Sequence, residues 1–184
     1  PEGIDGLLDP KYRGKIGYAP TNASFKSFVT ALRVLRGEDG AKTWLTAFLA
    51  NDPQTYEKNG QILDAVNEGT ISAGLINHYY WAAAVEEKGL ENVKSRLHFF
   101  SNGDPGALVN VAGAAVLASS PNKERSFDVI RALLNDDSQR YFADETGEYP
   151  IVADVVVNVP ELPKLSALSP PELSLDDLAD LDGT

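Results

Sequence analysis

Short apolar runs alternate along this chain with longer stretches whose apolar side chains recur every three or four positions, and that alternation narrows the fold more than any other feature. After the turn-like "DPKYRGK", the run "IGYAP" reads as a buried strand, and "TNASFKSFVTALRVLRG" follows it with Phe25, Phe28, Val29, Leu32 and Leu35 at helical spacing. Thr21 or Asn22 is the expected N-cap and Gly37 the expected stop. Ala41, Trp44, Leu45, Phe48 and Leu49 predict a second helix that ends near "NDP". "NGQILDAVNEG" predicts a short helix opened by Asn59 and closed by Gly69, and "TISAGLIN" has the length and composition of a central strand. A further helix, "WAAAVEEKG", leads to "SRLHFF". Strands that alternate with helices imply crossover connections and a mostly parallel sheet flanked by helices, an α/β architecture.

The second half is less regular. "ALVNVAGAAVLA" is long for a strand and lacks helical periodicity, so it is expected to run extended between two lobes. Ser120 as cap and Pro121 at the first helical position predict a helix over "NKERSFDVIRALLND", and "SQRYFADETG" predicts another before "EYPIV". Beyond residue 153 Pro, Leu and Asp dominate, and "PELSLDDLADLDGT" reads as one short amphipathic helix. Its acidic residues Asp176, Asp177, Asp180 and Asp182 lack the glycine and the spacing of a calcium-binding EF-hand loop, so a solvated face is the expected reading.

Composition closes off several kinds of chemistry. The formal charge of −11 argues against a nucleic-acid surface, which needs clustered Lys and Arg. With no cysteine there are no disulfides, thiolate metal sites or cysteine nucleophiles. No G-x-S-x-G elbow, P-loop or dinucleotide-binding glycine pattern occurs, and neither His78 nor His98 has a partner His at zinc-binding spacing. The chain is therefore not expected to be an enzyme. No apolar run approaches the roughly 20 residues of a membrane span, and no signal-peptide pattern is present. The absence of Met and the opening "PEGIDGLLDP" suggest a processed or truncated piece of a longer product.

What remains is "AGLINHYYWAAAVEEKG", with Tyr79 and Tyr80 side by side where a strand-like run gives way to a helix-like one. Adjacent residues on a regular helix diverge by about 100°, so the two phenols are expected to meet one ion only if at least one lies on irregular backbone. A phenol ionises near pH 10, which makes it a poor ligand for most metals. A hard trivalent cation can drive that proton off, and ferric iron fits. The plainer alternative is one core aromatic and one surface aromatic. Asn22, Asn59 and Asn77 likewise stand where Asn commonly caps or turns, yet helix N-termini also favour anions. If those loops converge on Tyr79 and Tyr80, cation and anion share one pocket.

Five stretches, "LLDPKYRGKIGYAPTNASF", "KNGQILDAVNEG", "LINHYYWA", "DPGALVNVAGAAVLASSPNK" and "EYPIV", resemble the periplasmic ferric-iron-binding proteins, the substrate-binding components of bacterial iron ABC transporters, in family order over about residues 5 to 152. The resemblance implies a type II periplasmic-binding-protein-like lobe with the N-terminal lobe largely absent. By position it makes Tyr79 and Tyr80 the paired ferric ligands. It makes Asn22, Ala23, Ser24, Asn59 and Asn77 the holders of a synergistic anion, phosphate or carbonate. "TNAS" departs from the family's usual Ser-Gly-Ala type of loop, and His78 stands where Asn is frequent, which leaves the anion's identity open.

The implied organisation is a ligand-binding lobe over 5–108, segments over 109–160 that in the family partly belong to the other lobe, and a tail helix over 161–184. Residues 112–154 are then expected to lack their natural sheet. The remaining iron ligands would come from a preceding N-terminal lobe or a second chain, the partner would be an ABC permease, and the location periplasmic or otherwise extracytoplasmic, with or without a lipid anchor. Three other readings keep some of these features. One is a binding protein of the same fold for thiamine, sulfate, phosphonate or a polyamine. A second is an enzyme acting on phosphorylated substrates through Tyr79 or His78 as acid or base, and a third is a sensory domain that reports a ligand to a partner protein.

Overall fold

The computed structural model of the chain describes residues 1–179 and residue 184. Two compact units emerge, one made of residues 1–110 and 166–184 and the other of residues 111–165.

The first unit is built on a three-stranded parallel sheet, β1 (Ile16–Tyr18), β2 (Gln54–Thr55) and β3 (Ala73–Gly74), in the order β2-β1-β3. Gly17 and Tyr18 lie opposite Gln54 and Thr55, while Ile16 and Gly17 lie opposite Ala73 and Gly74. All three residues of β1 are buried, because β1 is the central strand. The sequence expectation placed the central strand in "TISAGLIN". That segment instead supplies β3 beside β1, and its regular part is only two residues long. Composition misled here because "TISAGLIN" is apolar enough for a centre, whereas pairing is decided by which neighbour the crossover reaches. Residues 95–100 ("SRLHFF") form no strand.

Helix α1 (Ala23–Ala50) follows β1 and is broken at Gly37, whose φ of 72° and ψ of 168° lie outside the helical region. A positive φ of this kind is open to glycine at little steric cost, so the span consists of the two helices expected from the sequence, the first stopped at Gly37 as expected. Tyr18, Leu32, Ala41, Trp44 and Phe48 close the core on this side of the sheet with Ile4 and Leu7. Trp44 and Phe48 stack with ring centroids 5.0 Å apart, and Tyr18 meets Phe48 edge-on at 5.3 Å. Each fully buried large side chain of this set contributes about 1.5–3 kcal/mol.

The opposite face of the sheet receives α2 (Asn59–Glu68), through Ile62 and Ala65 against Ala19 and Ile71. Two glycines make that approach possible. A Cβ at Gly74 would lie 2.2 Å from Ile62 Cγ2, and one at Gly17 would lie 2.6 Å from Ile71 Cδ1. The helix therefore packs directly on strand backbone. Helix α3 (His78–Lys88) follows β3 and buries Trp81, Ala82, Ala84 and Val85, with Trp81 Nε1 donating to Ser95 O at 3.1 Å.

The second unit holds α4 (Lys123–Leu133) and α5 (Asp136–Glu145), and no strand. Helix α4 begins after the Ser120–Pro121 signal, capped in position by Asn122 rather than Ser120, whose Oγ accepts from Asn122 N at 3.3 Å. No residue of α4 is buried, and Phe127 is 48% and Val129 60% exposed. The unit is tied by Gln139, which donates to Leu133 O and accepts from Ile151 N, both at 2.9 Å. Past Ala107, the last residue of a 3₁₀ turn over Pro105–Ala107, "ALVNVAGAAVLA" carries no regular structure.

In the tail, the described residues of the expected amphipathic helix form a 3₁₀ turn at Asp176–Leu178, where Leu178 is buried. Asp177 accepts from Ser174 N and Oγ at 2.8 Å, which holds its carboxyl below the usual range and leaves it serving the turn. Asp180 and Asp182 lie outside the described residues. Among the described residues no helix is long and apolar enough to cross a membrane, and no three His, Cys, Asp or Glu side chains cluster as metal ligands.

Candidate functional site at the strand ends

Because β1, β2 and β3 are parallel, their C-terminal ends share one edge of the sheet, and each runs directly into a helix N-terminus. From β1 the chain moves through α1 to β2 on one side, then returns through α2 to β3 on the other. The connections thus diverge between β1 and β3, the crevice in which open α/β sheets bind ligands. Asn22, Ala23, Ser24, Asn59, Asn77, Tyr79 and Tyr80 all lie on these three junctions.

At the β1–α1 junction Asn22 is the N-cap of α1, and its Oδ1 accepts from Ser24 N at 2.9 Å and from Ser24 Oγ. At the β2–α2 junction Asn59 is the first helical residue, only 2% exposed, and its Nδ2 donates to Ser24 Oγ at 3.4 Å. The capping of α2 falls instead to Gln61, whose Oε1 accepts from Glu57 N and Lys58 N, both at 3.1 Å. Asn22, Ser24 and Asn59 are therefore brought together, while Ala23 is exposed at the start of α1, where amide N–H groups have no partner within the helix.

At the β3–α3 junction Asn77 Nδ2 donates to Tyr79 Oη at 2.8 Å. The rings of Tyr79 and Tyr80 lie with centroids 4.8 Å apart and planes inclined by 32°, both half-buried. Neither phenol is sealed in the core, and the two rings are not splayed. Contrary to the sequence expectation, both residues lie within α3 and neither is on irregular backbone. The first turn of a helix has no preceding turn to crowd its side chains, so long adjacent side chains can converge there. The bond from Tyr80 N to Asn77 O, 3.4 Å and spanning three residues, tightens that turn. Burial, then the charge of a neighbouring Tyr79 phenolate, then a hydrogen bond with Tyr79, push the Tyr80 phenol above its ordinary value.

Two residues of this region were not picked out as site residues from the sequence. His78, the first residue of α3, sets its ring 5.8 Å from Tyr79 and 6.4 Å from Phe99. Trp81, 1% exposed, fixes the rotation of α3 and so aims the tyrosines away from the core. Its signal was present in the apolar run "WAAAV".

The sequence profile of the bacterial extracellular solute-binding proteins matches residues 1–172. The chain belongs to this family. Among solute-binding proteins, it is 43% identical over 160 residues to the major ferric iron-binding protein of Neisseria meningitidis serogroup B, covering 86% of this chain and 48% of that protein. It is 30% identical over 179 residues to the Fe(3+)-binding periplasmic protein of Serratia marcescens, covering 97% and 52%. Iron-bound HitA from Pseudomonas aeruginosa superposes with a TM-score of 0.91 at 36% identity, covering all of this chain and 58% of that one. The chain spans about half the length of the curated relatives it matches. Its parallel sheet flanked by helices is the type II binding-protein architecture expected from the sequence.

Proposed function

We propose that this chain is the ferric-iron-capturing part of an extracytoplasmic solute-binding protein, with Tyr79 and Tyr80 as the iron ligands. The observation that carries the reading is the pair of half-buried phenols with ring centroids 4.8 Å apart at the strand-end crevice. Two anionic oxygens from one helical turn suit a hard trivalent cation and little else at neutral pH, since only such a charge displaces both phenolic protons. The amide-rich junctions of Asn22, Ala23, Ser24, Asn59 and Asn77 would hold a synergistic anion, phosphate or carbonate, at the N-termini of the helices they open. Further ligands would come from a preceding lobe or a second chain, and the loaded protein would deliver its cargo to an ABC permease. The relatives named for ferric iron binding support this assignment.

Titration with ferric citrate tests it. Binding through tyrosinate produces a red-orange charge-transfer band, which Tyr79→Phe and Tyr80→Phe each weaken and which the two substitutions together abolish. A chain that stays colourless, or a band that survives both substitutions together, overturns the proposal.

A further inference from the structure

The sequence contains two Asn-Gly pairs, Asn59 with Gly60 and Asn102 with Gly103, and the fold treats them oppositely. Asn59 is the first residue of α2, 2% exposed, and its Nδ2 donates to Ser24 Oγ. Helical backbone fixes its ψ and turns the next amide nitrogen away from the side chain. Asn102 and Gly103 are both exposed and form the centre of a β-turn, which Asp104 N closes by donating to Ser101 O at 3.1 Å. Their φ angles of 57° and 71° are both left-handed, the pattern of a type I′ turn. Among the described residues the Asn102 side chain has no hydrogen-bond partner. A Cβ at Gly103 would meet nothing closer than Pro171 Cα at 3.9 Å, so the space around this nitrogen is open. The backbone nitrogen after an asparagine lies within five-membered-ring reach of the side-chain carbonyl carbon, and a glycine there puts no side chain in the way.

We infer that Asn102 and Gly103 form a site of spontaneous covalent modification, where the asparagine converts to aspartate and isoaspartate and the isoaspartyl form loosens the turn's hold on the tail. When the turn opens, Gly103 N bonds to Asn102 Cγ, the Cγ–Nδ2 bond breaks, and ammonia leaves with the proton from Gly103. Water then opens the succinimide at either carbonyl. One product is aspartate. The other is isoaspartate, whose backbone runs through Cβ and Cγ and is one atom longer. Solvent water is the co-reactant, and nothing is oxidised or reduced. This site is independent of the proposed iron site.

The consequence follows from what the turn holds. Asp104 accepts from Ile4 N at 3.1 Å and from Gly106 N at 2.8 Å, which ties the first 3₁₀ turn (Ile4–Leu8) to this loop. Gly103 N donates to Ser169 O at 3.1 Å, which ties the tail to it. Gly103 N must leave Ser169 O before it attacks, but exposed turns open at little cost. An extra backbone atom between residues 102 and 103 then displaces that nitrogen from Ser169 O.

Peptide mapping by mass spectrometry, on the chain aged in mildly alkaline buffer, tests the site. The fragment holding Asn102 is expected to exchange its amino group for a hydroxyl at least about tenfold faster than the fragment holding Asn59, the factor that a further 1.4 kcal/mol of opening free energy imposes on the buried pair. In denaturant the two fragments convert at similar rates, because the fold alone separates them. Part of the Asn102 product is labelled by an isoaspartyl methyltransferase, and N102Q, whose longer side chain closes a ring far less readily, removes that label. The isoaspartyl fraction, isolated by chromatography, exchanges the amide hydrogens of residues 166–173 faster than the unmodified chain. N102D, with the charge but not the extra atom, does not. Equal rates at Asn102 and Asn59 in the folded chain, or conversion of Asn102 without any isoaspartate, overturn the site. Tail exchange that is unchanged in the isoaspartyl fraction, or raised equally in N102D, overturns the consequence drawn from the backbone.

Discussion

Acidification is the perturbation that tests the tyrosine pair most directly. Phenols ionise near pH 10, and in the folded chain Tyr80 lies above that value because of its burial, the neighbouring Tyr79 charge and its hydrogen bond to Tyr79. Both oxygens must lose a proton to become ligands, so each ferric ion taken up at neutral pH releases about two protons. Apparent affinity then falls about a hundredfold for each pH unit of acidification, or about 2.7 kcal/mol, since one proton per pH unit is worth about 1.36 kcal/mol. In Tyr80→Phe only one proton remains to be displaced, and the fall shrinks to about tenfold. The assay is competition against ferric citrate between pH 6.5 and 7.5 with the charge-transfer band as readout, together with a direct count of protons released in weakly buffered solution. A slope unchanged by Tyr80→Phe, or an uptake that releases no protons, refutes the two-phenolate site. In the iron-free chain the same raised value has the opposite consequence. It favours the fold while the phenol is protonated, below about pH 10, and that contribution is lost as pH rises through the folded-state value.

Other expectations concern the scaffold. Gly74→Ala puts a methyl group against Ile62 on the face that receives α2, and overpacking of this kind costs about 1–3 kcal/mol in denaturant unfolding. Asn51, whose Nδ2 donates to Leu7 O and Asp9 O at 3.1 Å each, ties the N-terminal turn to the end of α1. Asn51→Ala should cost about 1–3 kcal/mol, read as a lowered melting temperature. Asn59→Ala removes the buried amide that holds Ser24. It should cost about 1 kcal/mol of stability and abolish the dependence of iron binding on added phosphate, which calorimetry with and without phosphate would reveal.

The three junctions were legible in the sequence because local chemistry marks them. Asn22 caps α1, Gly37 breaks it and Gly69 ends α2, and each of these acts within a few residues of itself. The helices of the second half were legible for the same reason, though Ser120 stood two residues before the true cap. Strand order was not legible, since apolar content could not tell the central "IGY" from the outer "TISAGLIN". Likewise, nothing local distinguishes Asn22, which caps its helix, from Asn77, which does not.

By itself the sequence determined the helical segments from α1 to α5, which junctions carry Asn and Tyr, and which chemistries the missing cysteines and glycine motifs rule out. Those properties depend on spacing and on side-chain type. Only the tertiary structure decided that β1 lies between the other two strands, which sets Asn59 against Ser24 and gathers all three helix starts along one sheet edge. Only it decided that Tyr79 and Tyr80 converge from a single helical turn. The physical reason is that contacts between groups distant along the chain follow from how helices seat on the sheet, and Ile62 against the bare backbone of Gly17 and Gly74 is such a seat.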